Sequence, residues 1–356
     1  MTHSTDDLFS DAVRQLLTAQ CTSQVVRGIE AGQPAQPLWQ LIEASGFADS
    51  LVSERQGGAG LSLSAVYPVL EQCGAFALPV PLAETMLARA MLAGAGLAVP
   101  TGSIALAHGG TSQHAGVVCE TVHGGKVADW VLVTLPEFLG ANGGGSTHAV
   151  SLLLPVSKAK KSAAGFCLDA KLEWPEAVAS TAMRFSCHYN LKELQACLYA
   201  AQLAGAMQAV FSRTLQYAND RNQFGRPIGK FQAIQHQLSV MAEHAFAARM
   251  AAQMGCRSNT FMPDRLCVAV AKARTSEAAV EVAALSHSIH GAIGFTLEFD
   301  LQIFTRRLHL WRQAGGSESY WHLVLGEALV DQHQGLALDL IRSATDSPPS
   351  PQHSAS

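Results

Sequence analysis

The sequence predicts a mainly α-helical protein with a central β domain: an N-terminal helical domain, a small β-barrel or sandwich domain, and a C-terminal four-helix bundle. Three observations predict it. The 356-residue chain is 48% hydrophobic and only 15% charged, with Ala filling many apolar stretches, a composition that suits long helices around a large buried core. Apolar residues recur at helical spacing in the first part of the chain and again from about Leu191. Between these blocks lie short β-prone runs separated by Gly, Asn, Ser and Pro. The length allows two or three domains. The boundaries expected are 1–98, 99–188 and 189–345, with a disordered, proline-containing tail over 346–356.

The elements justify themselves in order. "DLFSDAVRQLL" puts Leu8, Val13, Leu16 and Leu17 on one face, with Asp6 or Asp7 placed to cap it. "PLWQLIEASGF" supplies Leu38, Leu41 and Ile42 and stops at Gly46, a C-terminal signal. "SLSAVYPVLEQCG" reads as a helix ending at Gly74, kinked or restarted at Pro68. "AETMLARAMLAGAG" closes the block. The β domain then follows as "GSIALAHGG", "GVVCETV", "DWVLVTL", "HAVSLLLPV" and "AKLEW", with "GANGGGST" at 140–147 as a flexible loop. In the third block Leu191, Leu194, Leu198, Ala201 and Gly205 form one stripe. "FQAIQHQLSVMAEHAFAARMAAQM", "DRLCVAVAKARTSEAAVEVAALSHSIHG" capped by Asp264, and "SYWHLVLGEALV" complete an up-and-down bundle.

Several classes are excluded. The formal net charge of −4 offers no polyphosphate footprint, so no nucleic acid is expected as partner. No apolar run reaches the ~20 residues of a membrane span; Glu84 and Arg89 interrupt the best one. The acidic start is no signal peptide. The eight cysteines show neither CxxC nor zinc spacing and read as reduced, buried small hydrophobes of a cytoplasmic protein, and no metal site is expected. "GGAGLS" at 57–62 does not follow a strand and is no dinucleotide loop.

One stretch stands apart: "YANDRNQFGRPIGKFQAIQH", Tyr217 to His236, where charge and amides gather at the end of an apolar helix. Arg221 offers a planar fork of donors suited to phosphate oxygens. Phe224 offers a flat apolar surface. Gly225 can take positive φ and turn the chain. Gln232 and Gln235 offer uncharged amides for adenosine or ribose edges. The pattern from Arg221 to Gln232 resembles the signature of the acyl-CoA dehydrogenase family. "IHGAIGFTLEFDLQIFTRR", Ile289 to Arg307, is similar to that family's glycine segment, and "LWQLIEASGF…ERQGGAGLSLSAVYPVLEQCG" to its opening helices.

The resemblance implies an enzyme that uses FAD to desaturate an acyl-CoA thioester between Cα and Cβ and passes electrons to an electron-transfer flavoprotein. It implies a tetramer with the cofactor across a subunit interface. Cofactor-binding roles fall on Arg221 for the pyrophosphate, on Gln223, Phe224 and Gln232 toward the adenosine end, and on Gly291 and Gly294 from a neighbouring subunit.

The departures concern chemistry. The slot of the family's catalytic glutamate falls on Gly315, followed by Gly316-Ser317; the alternative slot on the first bundle helix falls on Gln195. Neither can take a proton as a carboxylate does. Glu318, three residues on, is the remaining candidate if the register shifts. The loops that would meet the flavin ring are shortened to "ALAHGGTSQHAGVVCETVHGGKVADWVLV", leaving Thr111 and Ser112 as substitutes. Ala292 and Ser288 replace the family's usual Gly and Gln. The pattern resembles half-degenerate subunits that pair with a related chain, so a homo- or hetero-tetramer is expected, with the base from the partner. The alternative is a non-catalytic scaffold subunit of such a complex.

Overall fold

The computed structural model describes residues 5–112, 115–136, 149–165, 167–187, 189–332 and 336–346. In chain order these form α1 (Thr5–Gln20), α2 (Ser23–Glu30), α3 (Gln36–Ala44), α4 (Leu63–Ala75) and α5 (Leu82–Gly94). Next come β1 (Ile104–His108), β2 (Gly110–Ser112), β3 (Ala115–Val122), β4 (Trp130–Pro136), β5 (Ala149–Pro155), β6 (Lys160–Ala163), β7 (Ala170–Trp174), α6 (Glu176–Ala179) and β8 (Met183–Cys187). The last block is α7 (Leu191–Asp220), α8 (Gln232–Gly255), α9 (Arg265–His290), α10 (Leu301–Trp311), α11 (Glu318–Glu327) and α12 (Ala337–Asp346). The helix–sheet–helix order is the one the sequence predicts. The loop expected at 140–147 and the tail from residue 347 lie outside the described residues.

The chain groups into two compact units. One holds residues up to Arg14, Ser62–Ala77 and everything from Lys192; the other holds Gln15–Leu61 and Leu78–Leu191. In the second unit two four-stranded sheets, ordered β1-β4-β5-β8 and β2-β3-β7-β6, enclose one core. Val117, Cys119, Val131, Val133, Leu152, Leu154, Leu172 and Trp174 fill it. The pairing of β1 with β4 is parallel; the others are antiparallel. Ile104–Ala107 of β1 is buried throughout, because α5 covers the strand and Thr85 exchanges hydrogen bonds with the Ile104 backbone. The two charges that interrupt α5 in the sequence are both buried. Arg89, 4% exposed, pairs with Asp49 at 3.0 Å and with Glu43, and donates to the Gly102 carbonyl. Such pairing is what permits a guanidinium at that depth. The strands without an apolar signature in the sequence are β2 and β6, whose residues are all exposed at sheet edges, and the short β8.

In the first unit, α7 through α9 and α11 form the expected bundle, with α10 as an additional helix. Thr305 and Arg307 sit among the buried positions of α10, so its apolar stripe is broken in the sequence. Asp264 caps α9 by accepting from the Cys267 amide at 2.9 Å. Two local expectations need correction. α1 starts at Thr5, so neither Asp6 nor Asp7 is its cap. α4 ends at Ala75, one residue past Gly74, and Gly74 serves helix contact rather than termination: a Cβ there would stand 1.8 Å from the Gln202 carbonyl oxygen of α7, and a Cβ on Gly205 would stand 1.8 Å from the Glu71 carbonyl oxygen. Paired glycines let the two helix backbones touch. Beside that contact Arg249 grips the Glu71 carboxylate with Nε and Nη2, at 2.6 and 3.1 Å. Of the seven cysteines whose side chains are described, six are buried and none forms a disulfide. Burial pushes the thiols of Cys119 and Cys267 up to about 12 and about 11, which disfavours nucleophilic chemistry there.

Candidate cofactor site and base position

α7 carries Arg221 just past its end, where the Arg221 amide still donates to Tyr217. The Ile228 amide returns to the Arg221 carbonyl at 2.8 Å and closes a loop. Inside it, Asn222–Gln223 and Arg226–Pro227 pair as a minimal hairpin. Its two turn residues are Phe224 (φ +51°) and Gly225 (φ +77°). A two-residue hairpin turn of the I′ class has positive φ at both positions, which Gly supplies freely and Phe does not. Phe224 is also 91% exposed. A strained backbone presenting a bare aromatic ring is a feature found at binding sites. Arg221, Gln223 and Gln232 are exposed around it, and among the described residues nothing pairs with the Arg221 guanidinium. Gln235, by contrast, is spent locally on the Gly229 carbonyl at 3.0 Å. A free guanidinium, two exposed amides and an exposed ring fit the pyrophosphate and adenosine portions of FAD in chemistry.

The glycine segment begins where α9 ends. Gly291 has φ +66° and ψ −146°, a glycine-only conformation with open space on its side-chain side. Gly294 differs: it is buried, and a Cβ would press on His290 at 3.0 Å and Leu301 at 3.1 Å, so its smallness serves packing. The structure brings the two motifs together in one chain. Tyr217 stacks on His290 at 4.3 Å and its hydroxyl donates to the His290 carbonyl at 3.4 Å. His287 stacks on Phe295 at 4.2 Å. Burial pulls both imidazoles below their ordinary range, and neighbouring His290 and His309 add to this at His287. Neither histidine was singled out in the sequence; an aromatic at i−4 from Arg221 facing an aromatic just ahead of Gly291 was the available signal.

The base positions converge elsewhere in the same unit. Gly315, at φ +70°, lies against α7 so closely that a Cβ would stand 2.7 Å from the Ala196 amide nitrogen and 3.1 Å from the Gln195 carbonyl carbon. The two slots considered from sequence are thus one place, and it holds no carboxylate. Glu318 starts α11 and is ion-paired through Oε1 with Arg312; Oε2 is buried with no partner among the described residues. Lys272, fully buried on α9, donates to the Ser276 hydroxyl and to the Trp311 and Arg312 carbonyls at 2.8–3.0 Å. Burial pulls its ammonium down to about 7, with Glu318 opposing and Arg312 reinforcing. The Trp321 indole donates to the Gly315 carbonyl at 3.0 Å.

In the second unit Thr111 and Ser112 line a groove of about 550 Å³ with Glu120, Lys160, Lys171 and Glu173. Its charges are mutually paired, Lys171 with Glu120 at 2.9 Å and with Glu173 at 3.5 Å. Among the described residues there is no cluster of metal ligands, and no helix is long and apolar enough to cross a membrane.

Residues 193–330 match the sequence profile of the acyl-CoA dehydrogenase C-terminal domain. Acyl-CoA dehydrogenase IpdE2 of Mycolicibacterium smegmatis is 28% identical over 306 residues, 85% of this chain and 92% of its own length. The ChsE4-ChsE5 complex of Mycobacterium tuberculosis contains a chain that superposes with a TM-score of 0.79 at 21% identity, covering 93% of this chain and 98% of that one. A variant of the Tcur3481-Tcur3483 steroid ACAD superposes with a TM-score of 0.71 at 22% identity, covering 91% and 97%. Residues 193–330 thus match the acyl-CoA dehydrogenase C-terminal domain, and the whole chain is similar to acyl-CoA dehydrogenases in sequence and fold.

Proposed function

We propose that this chain is one subunit of an acyl-CoA dehydrogenase assembly, holding FAD while a related partner chain supplies the base. The observation that carries the reading is Gly315: the family's base position is occupied by a glycine whose side-chain direction runs into the α7 backbone. Gln195 beside it has no carboxylate, and Glu318 is committed to Arg312. A carboxylate is needed to take the α proton of a thioester, so it must come from outside this slot. When bound, FAD supplies the acceptor for the β hydrogen. Arg221 would hold the pyrophosphate; Gln223, Phe224 and Gln232 would meet the adenosine end; Gly291 would serve the cofactor of a neighbouring subunit, with the buried Gly294 packing the segment behind it. The free guanidinium and the strained, exposed Phe224 support these assignments.

The names of the structural neighbours support two finer points. One is a complex of two chains and the other is described as a steroid ACAD, so the assembly is an unlike-subunit tetramer and the acyl group is bulky, such as a steroid side-chain thioester. An electron-transfer flavoprotein is the reoxidant. The same glycine also favours a second reading, a scaffold subunit without flavin. Purification with a co-expressed related chain separates them. Flavin absorbance that scales with this chain supports the first reading; colourless material whose partner alone carries FAD supports the second. Full turnover by this chain alone would sink both.

A further inference from the structure

The turn from Arg312 to Ser317 fills the base position, and one buried amine holds its entry. Trp311 and Arg312 expose carbonyls at the end of α10, where a helix leaves acceptors without intrahelical partners. Lys272 of α9 reaches both, at 3.0 and 2.8 Å, while Ser276, itself an acceptor of Lys272, donates to the Arg312 carbonyl at 3.2 Å. A cation suits a helix C-terminus electrostatically. Beyond this anchor the turn has two more ties: the Arg312 guanidinium on Glu318 and the Trp321 indole on the Gly315 carbonyl. Gly315 then rests on α7 at Ala196.

We propose that Lys272 is a positioning residue, its ammonium anchoring the entry of the Arg312–Ser317 turn seated on α7: two protons go to the Trp311 and Arg312 carbonyls, and the third to Ser276, which itself donates to the Arg312 carbonyl. This deepens the reading of Gly315 as the closed base position. The ammonium and the Ser276 hydroxyl together make four hydrogen bonds with four protons, so deprotonation leaves the cluster one bond short. The proton is exchangeable near neutrality, because burial pulls this ammonium down to about 7. The charges facing it are Glu318 from α11 and Arg312 from the turn. On α9 itself, Arg274 is engaged with His244 of α8 and Glu277 with His322 of α11.

Amide hydrogen exchange on the full chain tests the proposal. Lys272→Met keeps the stem and removes the donors. Exchange at residues 313–317 is expected to rise about tenfold or more, while amides of the α8 core around Met241 and Ala245 change less than about twofold. In the unaltered chain, protection at Gln313, Ala314 and Gly316, whose amides are hydrogen-bonded in the turn, corrected for intrinsic rate, is expected to fall between about pH 6 and 9, the range around the pulled-down ammonium. A uniform acceleration across the unit, or no change at 313–317, overturns the proposal. Should Lys272→Met fail to fold, the pH series on the unaltered chain decides, and flat protection overturns it. Neither readout involves flavin or acyl-CoA, so failure here leaves the cofactor reading intact.

Discussion

Substituting Gly315 probes the closed base position directly. At φ +70° any side chain meets backbone strain, and a methyl group would lie 2.7 Å from the Ala196 nitrogen and 2.9 Å from its Cα. Those atoms belong to the interior of a 30-residue helix and cannot yield singly. The left-handed conformation costs about 1 kcal/mol, and packing a methyl against unyielding atoms about 1–3 kcal/mol. Gly315→Ala should therefore lose about 2–4 kcal/mol, seen in thermal melting as a drop of about 4–12 °C. Gly326→Ala is the internal control. That glycine is exposed on α11 with nothing within 4 Å of its would-be Cβ, so the change should stabilise by about 0.5–1 kcal/mol. Gly315→Glu should be destabilised at least as much as Gly315→Ala and gain no desaturase activity. A Gly315→Ala protein melting within about 1 °C of the parent, or a Gly315→Glu chain that turns over alone, would refute the reasoning.

Other outcomes follow from the same structure. Arg221→Ala should lower flavin content sharply while leaving the melting temperature of the flavin-free chain unchanged within about 1 °C, since no protein contact is lost; equal flavin content in both proteins would rule out the pyrophosphate role. Gly205→Ala should cost roughly 3 kcal/mol or more, because its methyl would overlap the Glu71 carbonyl oxygen of α4; chemical denaturation reads this. Acidification should weaken the unit through His287 and His290. Their folded pKa values lie below the free value of about 6.5, so the unfolded rings take up protons first; the stability is complete above that value and is lost as pH falls through it. His290→Phe, which keeps an aromatic against Tyr217, should flatten the fall in melting temperature between about pH 7.5 and 5.5; an unchanged slope contradicts the assignment.

Much of the fold was legible because its signals are local. The stripe through Leu191, Leu194 and Leu198, the Asp264 cap and the Gly46 stop each depend on residues within two or three turns, and they stand where expected. Gly74 misled because its reason is distant: the sequence shows a glycine near a helix end, whereas Gln202 of another helix dictates it. α10 was hidden because Thr305 and Arg307 are buried in its apolar face. β2 and β6 were hidden because edge strands in solvent carry no apolar alternation. At the candidate site, the resemblance of two motifs to a known family pointed to Arg221, Phe224 and Gly291. It could not reveal that Phe224 takes a left-handed backbone, that Gly315 and Gln195 share one place, or that Lys272 holds the Arg312 carbonyl, since these depend on contacts between residues distant in the chain or on φ values.

The central claim is that this chain holds flavin but lacks its own base. Its most direct test measures bound FAD per chain and acyl-CoA-dependent reduction of that flavin, for the chain alone and for the chain co-purified with a related subunit. The account predicts flavin reduction by substrate only in the paired assembly, and loss of flavin there on Arg221→Ala. Rapid reduction of a stoichiometric flavin by substrate in the chain alone would contradict it.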